Sequence, residues 1–173
     1  METLSRDDVQ RLNELIDGIP VAMMTTLHDY RLRSRPMACL ECQEDGTLWF
    51  MTSHSSEKAD EIKAHSAVNL AYSDSSQNRF VSVSGHATIS DDLEKKKQLW
   101  NSMAKIWFSG PEDPDLALVC VVPDGAEYWD GPHNKMVALF GWFKTMVTGK
   151  PQELGENGTI GEEIFDRNPA SVR

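Results

Sequence analysis

The sequence predicts an α+β fold that is mainly antiparallel β, with five or six short strands closing on a barrel and short helices flanking it. Three observations predict it. Short β-rich runs recur between Val21 and Trp129. Asp45-Gly46 separates two of them, a strong hairpin signal. Strands and helices do not alternate with the regularity that a doubly wound parallel sheet needs.

The elements follow in order. Ser5 and Asp8 form a capping box with Asp in the place of the usual Glu or Gln, and Val9, Leu12, Leu15, Ile16 and Ile19 continue at helical spacing until Gly18 and Pro20 stop the helix. Val21 to Leu27 reads as a strand, and His28-Asp29-Tyr30 as a turn. A second strand fits Arg35 to Glu41, and Thr47 to Thr52 returns from the Asp45-Gly46 turn. A short helix over Glu57 to His65 follows the possible N-caps Ser53 to Ser56. Ala67 to Tyr72 is a strand and Ser73 to Asn78 a polar loop. Phe80 to Ile89 alternates, with Phe80, Ser82 and Ser84 opposite Val81 and Val83; Gly85 inside it predicts a bulge or a close backbone approach. Asp91 or Asp92 caps a helix running to Trp100, and Trp107 to Pro114 is irregular. Leu116 to Val122 and Ala126 to Trp129 read as two further strands, and Met136 to Val147 as an apolar helix. The chain thus divides into one domain over 1–148 and a Gly-, Glu- and Asn-rich tail over 149–173, expected to be flexible.

Bulk composition narrows the function classes. The 173 residues carry 17 Lys+Arg against 27 Asp+Glu, a formal net charge of −10, which argues against nucleic acid or an anionic membrane as partner. Three cysteines are too few and too odd for a secreted disulfide framework, and no apolar run approaches the ~20 residues of a membrane span, so a cytoplasmic location is expected. Cys39 and Cys42 would face opposite sides of a regular strand, and no second CxxC or His pair completes a zinc site, so no metal is expected.

Three constellations could carry chemistry. Arg33-Ser34-Arg35-Pro36-Met37 brings two guanidiniums to a strand entry, where a planar fork suits phosphate oxygens. By itself this segment reads as a solvated basic turn. Thr52-Ser53-His54-Ser55-Ser56-Glu57-Lys58 joins a strand to a helix N-terminus, whose free N–H groups favour an anion; the bland reading is helix capping. The two segments flank one hairpin, whose open end would unite them as a phosphate site. The third is aromatic: Trp100, Trp107-Phe108, Tyr128-Trp129 and Trp142-Phe143, either core packing or a stack over a planar cofactor. No GxSxG, P-loop, GxGxxG or HExxH pattern supplies a catalytic motif, so no catalytic residue is assigned; a bound cofactor would bring its own redox chemistry.

Taken in order, Arg33-Ser34-Arg35-Pro36-Met37, Leu48-Trp49-Phe50-Met51-Thr52, Lys58, Val81-Ser82-Val83-Ser84-Gly85 and Glu127-Tyr128-Trp129-Asp130 resemble the pyridoxamine phosphate oxidase-like FMN-binding split barrels. The run Trp107-Phe108 with Asp113-Pro114-Asp115-Leu116 is similar to their general stress protein branch. The resemblance covers Leu12 to Pro132 and implies a six-stranded Greek-key split barrel, a homodimer, and FMN, with FAD as the variant, in grooves at the subunit interface. It implies that Arg35 contacts the phosphate or ribityl region and that the strand from Arg35 through Pro36 and Met37 to Ala38 runs along the ring. Arg33, Ser34 and Ser53, which flank these positions, are expected to bind the cofactor with them. By the same resemblance Met51 and Thr52 touch the flavin, Ser56 and Lys58 hold its phosphate, and Trp129 reaches it from the partner subunit.

Departures from the oxidase pattern bear on activity. Glu57 replaces an arginine, Phe80 a glutamine, and Lys135 and Val137 an Arg-x-His pair that holds the vitamin substrate. These argue against true pyridoxamine phosphate oxidase activity. The expected function is a general-stress-type flavoprotein, an FMN-dependent oxidoreductase on an unknown small molecule; the alternative is a non-enzymatic flavin carrier or sensor. A flavin-free module is also conceivable, because Arg31-x-x-x-Arg35 is similar to the arginine pair of cyclic-dinucleotide-binding barrels. Ser82-Val83-Ser84-Gly85 does not fit the strand that module requires.

Overall fold

Helix α1, Arg6–Ile16, starts at the capping box: the Ser5 side chain accepts from Asp8 N and the Asp8 carboxylate accepts from Ser5 N. Its buried face, Val9, Leu12, Leu15 and Ile16, carries it onto the sheet. The computed structural model describes residues 4–131 and 156–161 of the chain. After α1 come β1 (Val21–His28), β2 (Arg31–Cys42), β3 (Leu48–Ser53), α2 (Glu57–Ala64), β4 (Ala67–Asp74), β5 (Arg79–Ser90), α3 (Leu93–Leu99), β6 (Leu116–Asp130) and β7 (Glu156–Ile160).

All strand pairs are antiparallel, in the order β3-β2-β1-β4-β5-β6-β7, and β3 also pairs with β6. Six strands therefore close into a ring, as expected of a split barrel, with β7 added outside it. Leu12, Met24, Phe50, Leu70, Val83 and Val119 are fully buried in the core.

The differences from the sequence reading have local causes. β2 starts at Arg31, not Arg35, because Asp29 and Tyr30 both adopt positive φ (44° and 65°) and make a tight turn that pairs His28 with Arg31. The two strands expected over Leu116–Val122 and Ala126–Trp129 are one strand, β6. A register shift opposite Ser84 and Gly85 absorbs Asp124, so Pro123 lies where the ladder is already broken. Gly85 is the close approach: a Cβ there would sit 2.5 Å from the Val122 carbonyl oxygen. The tail expected to be flexible from residue 149 holds β7, which pairs with Ala126–Asp130. The helix expected over Met136–Val147 lies outside the described residues.

A second register shift decides where a cavity forms. β2 pairs with β3 only over Cys39–Cys42, with Leu40 as the extra residue. Before it, Arg31–Ala38 pair with β1, while Met51–Ser53 pair with β6. The two strands part at this point, and a cleft opens between them.

Candidate functional site

The cleft has a volume of about 490 Å³. One wall is β2 and β3, from Pro36 to Ala38 and from Met51 to Ser53; Lys58 lies at the start of α2; the other wall is the turn holding Met103, Trp107 and Phe108. Of the residues singled out from the sequence, Pro36, Met37, Ala38, Met51, Thr52, Ser53 and Lys58 line it, and so do Trp107 and Phe108 of the aromatic constellation.

Lys58 is the distinctive group. Its ammonium donates to Thr52 Oγ1 at 2.8 Å, and no carboxylate pairs with it among the described residues. Burial holds its pKa below the usual lysine value and the nearby Arg35 guanidinium lowers it further, against a smaller opposing pull from the Glu61 carboxylate. Thr52 Oγ1 lies 3.1 Å from Ser56 Oγ, and Ser56 donates its hydroxyl proton to the Ser53 carbonyl at 2.7 Å, so Thr52 is the donor between them. Ser56 occupies the N-cap of α2 without bonding a first-turn N–H, leaving that end of the helix uncapped by a side chain. Ser53 and Ser55 are tied down instead by Asp115: its Oδ2 accepts from Ser53 Oγ at 2.6 Å and its Oδ1 from Ser55 N at 2.9 Å. The Ser53 hydroxyl and the Ser55 N–H hold the Asp115 carboxyl below the usual aspartate range.

Arg33 meets the second segment through Glu57, whereas Arg35 pairs with Glu61, beyond the end of that segment. Arg35 donates to Thr26 Oγ1 at 2.8 Å and to Glu61 Oε2 at 2.7 Å, and Thr26 donates to the same Glu61 oxygen at 2.5 Å. Arg33 donates to Glu61 Oε1 at 3.0 Å and to Glu57 Oε2 at 2.6 Å. The Glu61 side chain is only 1% exposed. Burial alone would raise its pKa, but the hydrogen bonds from Thr26 and Arg35 and the two guanidinium charges outweigh it and lower the value. Glu57, which replaces an arginine of the oxidase pattern, is neutralised by Arg33 at the surface. Neither arginine lines the cleft; Arg35 acts on it through its field at Lys58.

The remaining residues lie apart. Ser34 is exposed and accepts from Thr25 Oγ1 at 3.1 Å. Trp129 is 49% exposed and pairs with Phe80, also exposed, on the outer face of the sheet, outside the cleft lining. Lys135 and Val137 lie outside the described residues.

Sequence reasoning did not find Glu61, Thr26 or Asn101. Glu61 had a signal, since it lies one helical turn after Glu57 and so shares its face toward the arginines. Thr26 and Asn101 had none, because only the tertiary fold brings them to the site.

Cys39 and Cys42 correct an expectation. The extra residue Leu40 shifts the alternation, so both thiols face the core side and line a second groove of about 630 Å³ with Tyr72, Asn13 and Asp17. Among the described residues no group of three or more His, Cys, Asp or Glu side chains could hold a metal ion, and no helix is long and apolar enough to cross a membrane.

Comparison with known proteins places this architecture. The family model described as "Pyridoxamine 5'-phosphate oxidase like" matches residues 7–153. General stress protein 26 of Bacillus subtilis is 26% identical over 138 residues, covering 78% of this chain and 96% of that protein. A crystal structure from Jannaschia sp. CCS1, described as a general stress protein 26, superposes with a TM-score of 0.72 at 22% identity, over 90% of this chain and 99% of that one. The general stress FMN/FAD binding protein of Xanthomonas citri superposes with a TM-score of 0.61 at 24% identity, over 73% and 90% of the two chains.

Proposed function

The chain belongs to the pyridoxamine 5'-phosphate oxidase like family, and from that premise we propose that it is a flavoprotein of the general stress type, a homodimer that holds FMN in the cleft between β2 and β3 and acts as a flavin-dependent oxidoreductase on a small molecule. The observation that carries the proposal is Lys58. A half-buried ammonium with one hydroxyl partner and, among the described residues, no carboxylate in contact, only the longer-range field of Glu61, is costly to hold unless an anion completes it.

The donor set fits a phosphate monoester. Lys58 would hold the phosphate, the hydroxyls of Thr52 and Ser56 would turn from their internal bonds to donate to it, and Arg35 behind them would add positive potential. The strand from Pro36 to Ala38 and the side chain of Met51 would carry the ring. When bound, the flavin supplies reversible two-electron redox chemistry; the chain's part is to bind it, orient it and keep one face from water. The FMN/FAD-binding description of the Xanthomonas citri protein supports the cofactor class.

The outer face of the sheet supports the dimer. Val21, Met23, Phe80 and Trp129 are exposed there, a run of large apolar groups that a second copy would cover. Trp129 would then reach the flavin of the other subunit, since it does not line its own cleft.

The test is the visible absorption spectrum of the purified protein before and after adding FMN. Flavin bands retained after desalting are expected; their absence, together with unquenched fluorescence of added FMN, overturns the proposal. FAD retained in preference to FMN would correct the cofactor. Bound flavin without steady-state oxidation of NADH or NADPH, or of any other donor tested, would remove the oxidoreductase part and leave a carrier.

A further inference from the structure

We propose that the 101–108 turn is the outer wall of the flavin site and that Trp107 stacks on the flavin ring; this rests on reading the cleft as a flavin site. The turn is firmly built. Asn101 Oδ1 accepts from Met103 N at 2.9 Å and Ala104 N at 3.1 Å, and the Ala104 carbonyl accepts from Trp107 N and Phe108 N, both at 3.0 Å. Buried Ala104 anchors it, and Asp113 braces the next loop by accepting from Ser109 N and Ser109 Oγ.

This ordered turn nevertheless presents Met103, Ile106 and Trp107 to solvent, with Trp107 78% exposed. Holding large apolar side chains rigidly in water stabilises nothing in the chain itself, so the arrangement points to a ligand that covers them. The same cleft supplies the identity of that ligand. Lys58 and Thr52 line it together with Met103, Trp107 and Phe108, so an anion-binding group and an aromatic wall share one cavity. A molecule with a phosphate at one end and a flat ring at the other matches both. Stacking asks only for a planar face, and the wall offers little else: the carbonyl oxygen of Asn101, its one amide, is already engaged within the turn.

The high exposure of Trp107 makes the test clean, because replacing it leaves the core intact. FMN is titrated into the full-length wild type, Trp107→Ala, Trp107→Phe and Ile106→Ala, following flavin fluorescence. In the wild type the stacked indole quenches bound FMN. Trp107→Ala is expected to weaken affinity by about tenfold, the upper end for an aromatic pair, and to leave the bound flavin visibly brighter. Trp107→Phe should keep most of the affinity but lose the quenching. Ile106, on the same turn but not on the cleft, should change neither. A Trp107→Ala protein that binds FMN as tightly and as darkly as wild type overturns the assignment while leaving the flavin site standing. An Ile106→Ala effect equal to that of Trp107→Ala overturns it too, by making the turn's integrity the cause. Failure of the wild type to bind FMN removes the flavin reading and this assignment with it.

Discussion

Two cavities flank the Leu40 bulge of β2, and they differ more in chemistry than in size. The groove of about 630 Å³ is the larger, and it is bounded by Cys39, Cys42, Tyr72 and the acidic end of α1. Its polar groups look inward: Cys42 donates to Asn13 Oδ1, and the buried Tyr72 hydroxyl has only the weakly polar Cys39 thiol beside it among the described residues. The cleft of about 490 Å³ holds a lysine with no carboxylate in contact among the described residues, beside two hydroxyls and an exposed aromatic wall. Volume ranks the groove first; unspent charge and unspent apolar surface single out the cleft. Binding follows what a cavity leaves unsatisfied, not how much space it encloses.

Substitutions on each side should separate the two. The largest effect is expected from Glu61→Ala, which strands Arg35 and Arg33 around a cavity. It should cost about 3 kcal/mol of stability in urea unfolding, the low end for breaking a buried ion pair because the arginines are partly hydrated. A loss below about 1 kcal/mol would mean that the carboxylate is not the centre of that network. Lys58→Ala should leave stability nearly unchanged and weaken FMN binding by about 1.5–3 kcal/mol, read by fluorescence titration. Equal affinity in wild type and variant would remove the phosphate site.

The two sides should also titrate at opposite ends of the pH scale. On the cleft side the folded Glu61 pKa is lowered, so its contribution to stability is present above the ordinary glutamate range and is lost as pH falls through the folded value. Glu61→Gln should flatten that acid limb. On the groove side burial pushes the Cys42 thiol up from 9.0 to about 12, so between those values the unfolded chain is the one that has lost the proton, and stability falls as pH rises. Cys42→Ala should remove about 1 kcal/mol of that alkaline loss by pH 10, measured as the difference in unfolding free energy from pH 8. An unchanged slope would place the thiol in water. The smallest effect belongs to Tyr72→Phe, which deletes a buried hydroxyl whose one polar neighbour is the weak Cys39 thiol and should stabilise by up to about 1 kcal/mol in thermal unfolding. Destabilisation instead would reveal a partner for the hydroxyl in the groove.

Much of this architecture was legible from local rules. The capping box at Ser5 and Asp8, the Asp45-Gly46 turn and the close approach at Gly85 each depend on a few neighbouring residues, and each appears in the fold. Proximity of the Arg33–Met37 and Thr52–Lys58 segments also followed from one hairpin. The apparent break at Pro123 misled because a bulge lets a strand pass through a proline, and a bulge is set by two strands together. The paired thiols were missed for the same reason, since alternation along β2 holds only until Leu40 is inserted.

By itself, then, the sequence determined the element types, the hairpin that brings the two polar segments together, and the family pattern they compose. These are read from periods of two and 3.6 residues and from turn chemistry, which act over short stretches of chain. The tertiary structure decided which charges remain available. Glu61 lies 28 residues from Arg33 and 26 from Arg35 and pairs with both, Glu57 supplying the second negative charge, while Lys58 three positions earlier has no carboxylate in contact among the described residues. That choice depends on which side of the barrel end each helical residue faces, and a Coulomb partner is selected by distance in space, of which separation along the chain is no measure.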